Sequence, residues 1–295
     1  MKSLTQHISE KLIINKSTKT YKYHPETLDE LKELVERLIK ERGNDANLND
    51  IDTSKITDMF SLFKDSKFDG DISEWDVSSV TDMSLMFCMS KFDGDISNWD
   101  VSNVTNMHGI FKLSKFNRDI SKWNVSNVTR MDHMFYNSEF NSDISNWNVS
   151  SVENMNMMFD TSKFNGDISK WDVSNVESMF AMFRGSVFTG NLDEWDVSKV
   201  KNMFAMFANS EFDNDISKWN VGGVENMQYM FFTSNFNGDI SQWDVSNVEN
   251  MREMFKNAKR FNKNISGWKI NNNCNTTDMF TDCQIKEEYK PKFNN

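Results

Sequence analysis

The stretch Phe68–Lys91, FDGDISEWDVSSVTDMSLMFCMSK, decides how the whole chain is read. It recurs about every 24 residues almost to the end of the protein. The nine tryptophans share its beat: Trp75, Trp99, Trp123, Trp147, Trp171, Trp195, Trp219, Trp243 and Trp268. Seven of those eight intervals are 24 residues and the last is 25. A fixed period of this size means stacked repeats, each touching only its neighbours. Fuller units begin at Phe68, Phe92, Phe116, Phe140, Phe164, Phe188, Phe212 and Phe236, and a closing unit begins at Phe261. A degenerate first unit, LNDIDTSKITDMFSLF, starts at Leu48.

Within one unit the apolar positions are Phe68, Ile72, Trp75, Val77, Val80, Met83, Met86 and Phe87. Trp75 and Val77 are spaced as in a strand, which turns both inward and Asp76 outward. Val80, Met83, Met86 and Phe87 have helical spacing. The expected unit is therefore a very short parallel strand, a turn, a short helix and a return loop. Ser78 reads as the helix N-cap, with capping boxes at Ser150–Glu153, Ser174–Glu177 and Ser246–Glu249. The middle of the turn Asp69-Gly70-Asp71 also takes Arg118, Ser142, Asn214 and Lys263, so a positive φ is not required there. Each buried indole N–H needs an acceptor, expected to be a loop carbonyl. The fold class is an α/β repeat solenoid of about ten such units. Strand spacing of ~4.8 Å makes it a rod roughly 45–50 Å long.

The chain divides into four parts. Residues 1–23 form an arm with five lysines against one glutamate, net +4. Residues 24–44 form a capping helix with Leu28, Leu31, Leu34, Val35, Leu38 and Ile39 on one face and Gly43 at its end. A solenoid exposes an apolar end, and this helix covers it. Residues 45–282 are the repeats, and 283–295 are a polar tail that ends the stack.

The net charge of −11 disfavours nucleic acid, whose phosphates demand Lys and Arg. Three cysteines give no disulfide framework. No apolar run suits a secretory signal or a membrane span, and no cysteine near the start could carry a lipid anchor. The expected location is cytoplasmic or virion-associated unless export takes a non-standard route. No phosphate loop, nucleophile elbow or paired-histidine zinc motif occurs, so no catalytic residue or cofactor is assigned. His108 and His133 occupy adjacent slots of neighbouring units, but no cysteine in register joins them, and no metal site is read there. The acidic turns at Asp69/Asp71, Asp93/Asp95, Asn165/Asp167 and Asn237/Asp239 invite Ca²⁺. Arg118, between Asn117 and Asp119, argues instead for turns made by Asp and Asn side chains.

The candidate binding face is the outward column Asp76, Asp100, Asn124, Asn148, Asp172, Asp196, Asn220 and Asp244. The variable neighbours Glu74, Asn98, Lys122, Asn146, Lys170, Glu194, Lys218 and Gln242 would tune it.

The motif F-[DN]-x-D-I-S-x-W-[DN]-V-S-x-V-x-x-M-x-x-M-F resembles the BspA-like leucine-rich-repeat surface proteins of bacteria, in the subgroup with W-D-V-S-N-V repeats. Trp99-Asp100-Val101-Ser102-Asn103-Val104 and Trp243-Asp244-Val245-Ser246-Asn247-Val248 carry it almost letter for letter. The resemblance spans roughly residues 45–282. It implies a right-handed, leucine-rich-repeat-like solenoid and a role in adhesion or protein binding. The expected function is a non-enzymatic scaffold presenting an acidic polar face to a protein or glycan. The alternative is a structural or virion-associated protein held in a larger assembly by residues 1–23.

Overall fold

The computed structural model describes residues 20–293. Most of the expected arm, residues 1–19, lies outside the described residues, as do 294 and 295. Among the described residues no helix is long and apolar enough to cross a membrane.

The N-terminal helix α1 runs Leu28–Arg42. The Glu30 amide donates to the Thr27 hydroxyl at 3.2 Å, and the Glu26 amide donates to the Glu30 carboxylate at 2.8 Å. Gly43 closes the helix at φ 98°, its amide donating to the Ile39 carbonyl. Leu31, Val35 and Leu38 are buried in the same core as Leu48, Ile51 and Phe63. The cap and the first coil thus share one interior, as a solenoid end requires. At the far end, the Ile265 amide donates to the Tyr289 carbonyl and the Lys286 amide to the Asn262 side chain, so the tail lies on the last coil.

The repeats stack as expected, but their local structure differs from the strand-plus-helix unit. Among the described residues α1 is the sole α-helix, and no extended strand forms. Val80–Phe87 is built of consecutive β-turns. The amides of Met86, Cys88 and Ser90 donate three residues back, to Met83, Leu85 and Phe87. The amides between them, on Met83, Leu85, Phe87 and Met89, donate to Asn106, His108, Ile110 and Lys112 of the next coil at 2.8–3.0 Å. The same alternation runs from Met59 to Asn257. A helix would consume every one of these amides within its own unit, leaving the junction between coils unbonded. Turns keep half of them for the neighbour. Parallel pairing survives as single bridges, Asp58 to Asp82, Asp82 to Asn106 and onward to Asn275.

This seam has a conformational cost. The slots of Leu85 and Met89 lie in the left-handed region in every coil, from Ser61 and Asp65 to Asp278 and Asp282. Gly109 and Gly185 are the two glycines among them. Thr233 sits there at φ 53°, and a β-branched residue is poorly suited to it. Asn137, Asn209 and Asn257 fill the same slot in other coils. Thr233→Asn is therefore expected to stabilise the chain by about 0.5–1 kcal/mol, part of the left-handed penalty. A rise in the urea midpoint at unchanged slope would show it.

Three aromatic files fill the interior. Rings of the Phe87 file repeat every 5.5–5.9 Å. Those of the Phe68 file repeat every 6.2–6.5 Å. Trp147 and Trp171 are 6.5 Å apart, as are Trp219 and Trp243. The tryptophans are only 3–4% exposed. Each indole N–H donates to the carbonyl of the coil before it, as Trp171 does to Ile144 at 3.1 Å. Backbone hydrogen bonding holds the seam near a ladder spacing of ~4.8 Å. Rings of the Phe87 file thus stand closer to one another than those of the Phe68 and tryptophan files.

Away from the seam, side chains make the turns and bridge the coils. The carboxylates of Asp71, Asp76 and Asp82 accept the amides of Ser73, Ser78 and Ser84 at 2.7–3.0 Å. Ser78 is thus held by Asp76 instead of capping a helix. The capping boxes are replaced in the same way: the Ser150 amide donates to Asn148 and the Ser174 amide to Asp172. Asn103 and Asn127 reach back to the carbonyls of Ser78 and Ser102 at 2.7 Å. Side-chain amides thus join one coil to the next on this side as well.

Candidate functional site

The column from Asp76 to Asp244 and its neighbours from Glu74 to Gln242 are all exposed. They lie beside the tryptophan file. Their oxygens are largely engaged: Ser102 holds the Asp100 carboxyl below its ordinary range, first through its hydroxyl and then through its amide. Ser198 and Ser246 do the same for Asp196 and Asp244. Lys218 and Glu194 meet at 3.3 Å across adjacent coils.

The acidic turns form an inter-coil ladder. Asp69 accepts the Asp93 amide at 2.8 Å, and Asp93 accepts the Asn117 amide at 3.0 Å. Arg118 lies 3.1 Å from the second oxygen of Asp93. An open hollow of about 770 Å³ runs past Asp69, Asp93, Asp95 and Asp119. Its carboxylates serve backbone amides, which accounts for the acidic residues without a calcium ion.

The seam carries a surface of a different kind. Its outward slots are those of Ser84, Leu85, Cys88 and Met89. In later coils the first pair reads His108-Gly109, Asp132-His133, Asn156-Met157, Phe180-Ala181, Phe204-Ala205, Gln228-Tyr229 and Arg252-Glu253. The second pair reads Lys112-Leu113, Tyr136-Asn137, Asp160-Thr161, Arg184-Gly185, Ala208-Asn209, Phe232-Thr233 and Lys256-Asn257. Charge, size and polarity change at most steps, Phe180-Ala181 and Phe204-Ala205 being the one repeated pair, while the Met-Phe between the pairs hardly varies. The Asp76 column, by contrast, alternates only Asp and Asn. This in-chain contrast is visible in the sequence. Seeking variation only beside the Asp76 column hid it.

Chemically the strip has two centres. The first is an apolar cluster separate from the main core. Ala181, Ala205 and Ala208 are buried, and Met157, Phe180, Phe204, Tyr229 and Phe232 pack against them half-exposed. Phe180 stacks on Phe204 at 4.7 Å, and Tyr229 meets Phe204 and Phe232 edge-on at 5.4 and 5.7 Å. They border an open groove of about 380 Å³ with Arg184 at one end and Glu253 at the other. Arg184 lies 2.7 Å from Asp160, whose complete burial pushes its carboxyl up against the pull of that guanidinium. Arg252 and Lys256 flank Glu253 at 3.2 and 2.9 Å.

The second centre joins the two histidines that were read as unconnected. Asp132, one residue before His133, supplies the link. His108 Nδ1 lies 2.5 Å from Asp132 Oδ2 and His133 Nδ1 lies 3.6 Å from the same atom. Burial works to raise the Asp132 carboxyl, but the two imidazoles and Arg130 overcome it and hold it well below the usual range. Cys88, Cys274 and Cys283 are all free thiols and stand apart from this centre.

The repeat units match a family model described as "Mycoplasma protein of unknown function, DUF285" over residues 30–139, 112–211 and 185–292. No curated protein and no solved structure matches. The overlapping matches follow from periodicity, since a model several units long fits a uniform array in more than one register. From helix α1 to the C-terminal tail, the chain belongs to the DUF285 family of tandem-repeat proteins.

Proposed function

We propose that this protein is a non-enzymatic binding scaffold whose partner is another protein, engaged along the variable strip of the seam. The observation that carries this reading is the division of labour within each coil. Core, turn and ladder positions barely change, while the four seam slots vary from unit to unit, Phe180-Ala181 and Phe204-Ala205 being the one repeated pair. Those slots hold a contiguous, partly buried aromatic patch that the main core does not need. Solenoids offer extended surfaces for binding, and aromatic and arginine side chains are the residues that anchor protein interfaces. Around the groove, Arg184 pairs with Asp160, Arg252 with Glu253, and Lys256 with Glu253 and Asp278. A segment with apolar side chains suits a patch whose charges are already paired. The likeness to BspA-like surface repeats supports a binding role, and the partly buried aromatic patch favours the seam over the acidic column.

The test compares two variants of the full chain. Phe204→Lys with Phe232→Lys disrupts the strip, and Asp172→Lys with Asp196→Lys reverses the acidic column. Native partners captured by the wild-type chain are expected to be lost from the first variant and kept by the second. Truncating a central aromatic anchor costs an interface about 2–4 kcal/mol, so the loss should be near complete. Retention by the strip variant with loss from the other would return the site to the acidic column. Loss only on removing residues 1–23 would favour anchoring in a larger assembly.

A further inference from the structure

We propose that His108, Asp132 and His133 form a binding site for one zinc-class transition-metal ion. The ligand atoms are one ring nitrogen of each histidine and a carboxylate oxygen, and they all lie within 4.8 Å of one another. Zinc holds imidazole nitrogen and carboxylate oxygen at about 2.0–2.2 Å, which sets tetrahedral ligand atoms roughly 3.3 Å apart. The observed separations of 2.5 and 3.6 Å lie on either side of that value. Small rotations about the side-chain bonds would therefore complete the geometry.

A second observation points to a missing ligand. His133 Nδ1 is buried and has no hydrogen-bond partner. His108 already occupies the near oxygen of Asp132, leaving the second imidazole facing a carboxylate it does not reach. An ordinary hydrogen-bonded pair explains one histidine and orphans the other. A metal ion shared by all three satisfies every atom at once. Burying a polar atom without a partner is costly, and such atoms call for an explanation.

The backbone supports the same reading. The Gly109 amide donates to the Asp132 carbonyl at 2.9 Å, and the His133 amide to the Asn156 carbonyl at 2.8 Å. The ligands thus sit on the hydrogen-bonded seam, on the most rigid part of the coil. The Asp132 side chain is 7% exposed, while those of His108 and His133 are 26% and 24% exposed. One side of the site is therefore open, so a water or a partner's side chain can take the fourth position. Imidazole ligands select zinc, nickel or copper over calcium and magnesium. Arg130 is the competitor: its guanidinium approaches both Asp132 oxygens at 3.3 Å from a half-exposed position. It must swing aside for the ion to enter.

The experiment is isothermal titration of the untagged full chain with Zn²⁺ and Ni²⁺, with Ca²⁺ as the control. The expected result is uptake of one Zn²⁺ per chain and no uptake of Ca²⁺. His108→Ala and His133→Ala are each expected to weaken zinc binding by at least the roughly 10–100-fold seen on losing a ligand's supporting partner. Arg130→Ala is expected to tighten it, a gain that a damaged fold could not produce. No zinc uptake by the wild-type chain would overturn the site. So would uptake unchanged by both histidine substitutions, or zinc affinity that Arg130→Ala leaves unmoved or weakens.

Discussion

Trp171→Ala is expected to destabilise the chain by about 3–5 kcal/mol, the cost of deleting a large buried aromatic. It should also split the unfolding transition in two. Trp171 lies in a central coil, 6.5 Å from Trp147 and 6.2 Å from Phe159. Its indole N–H bonds the Ile144 carbonyl. Removing it leaves a void in the file and takes from that carbonyl one of its two donors, the Trp147 amide at 3.2 Å remaining. In a linear array the energy of a junction is shared with nobody else, so the damage stays where it is made. The two halves then unfold as separate blocks. Urea denaturation followed by circular dichroism would show two steps, against a single step for the wild type. Trp171→Phe gives the control: it keeps an aromatic ring in the file, loses the indole hydrogen bond and part of the buried ring, and should cost about 1–3 kcal/mol. A single sharp transition for Trp171→Ala at wild-type midpoint would mean that the files do not hold the stack.

The aromatic files could be read from the sequence because burial writes a fixed period into the chain. Phe68, Trp75 and Phe87 recur at one spacing, and no other arrangement hides them all. The acceptor for each indole followed from chemistry alone, and the Ile144 carbonyl supplies it for Trp171. The helix expected at Val80–Phe87 failed for a definite reason. Residues three apart fall on one side in a helix and also across a β-turn, so apolar spacing does not separate the two. What separates them is the destination of the amides of Met83, Leu85 and Phe87, which lies one coil away. Left-handed backbone at Leu85 and Thr161 was equally hidden, since neither residue type announces it. The link between His108 and His133 was missed by looking for a cysteine in register. The Asp132-His133 pair was the available signal, one residue from the expected place.

Deleting one whole unit, residues 164–187, is expected to leave a folded solenoid one coil shorter. The new junction Lys163–Phe188 repeats the native step Lys163–Phe164, so every file and every seam bond finds an equivalent partner. The Phe159 amide, which donates to the Met182 carbonyl, would meet the Met206 carbonyl instead. Deleting half a unit, residues 164–175, removes fewer side chains and should do far more harm. Val176 would then follow Lys163 and enter the slot of Phe164, whose ring stacks on Phe140 and Phe188 at 6.3 Å. Trp171 would be gone, the coil would be too short to close, and the amides from Met155 to Thr161 would face no aligned carbonyls. Each buried amide left unpaired costs about 1–3 kcal/mol, and four seam bonds meet at that junction. The half-unit deletion should therefore be recovered as aggregate or degraded chain, while the full-unit deletion keeps a cooperative thermal transition. Equal behaviour of the two variants would show that the coils are not locked in register. The solenoid would then have to be held by something other than the seam and its files.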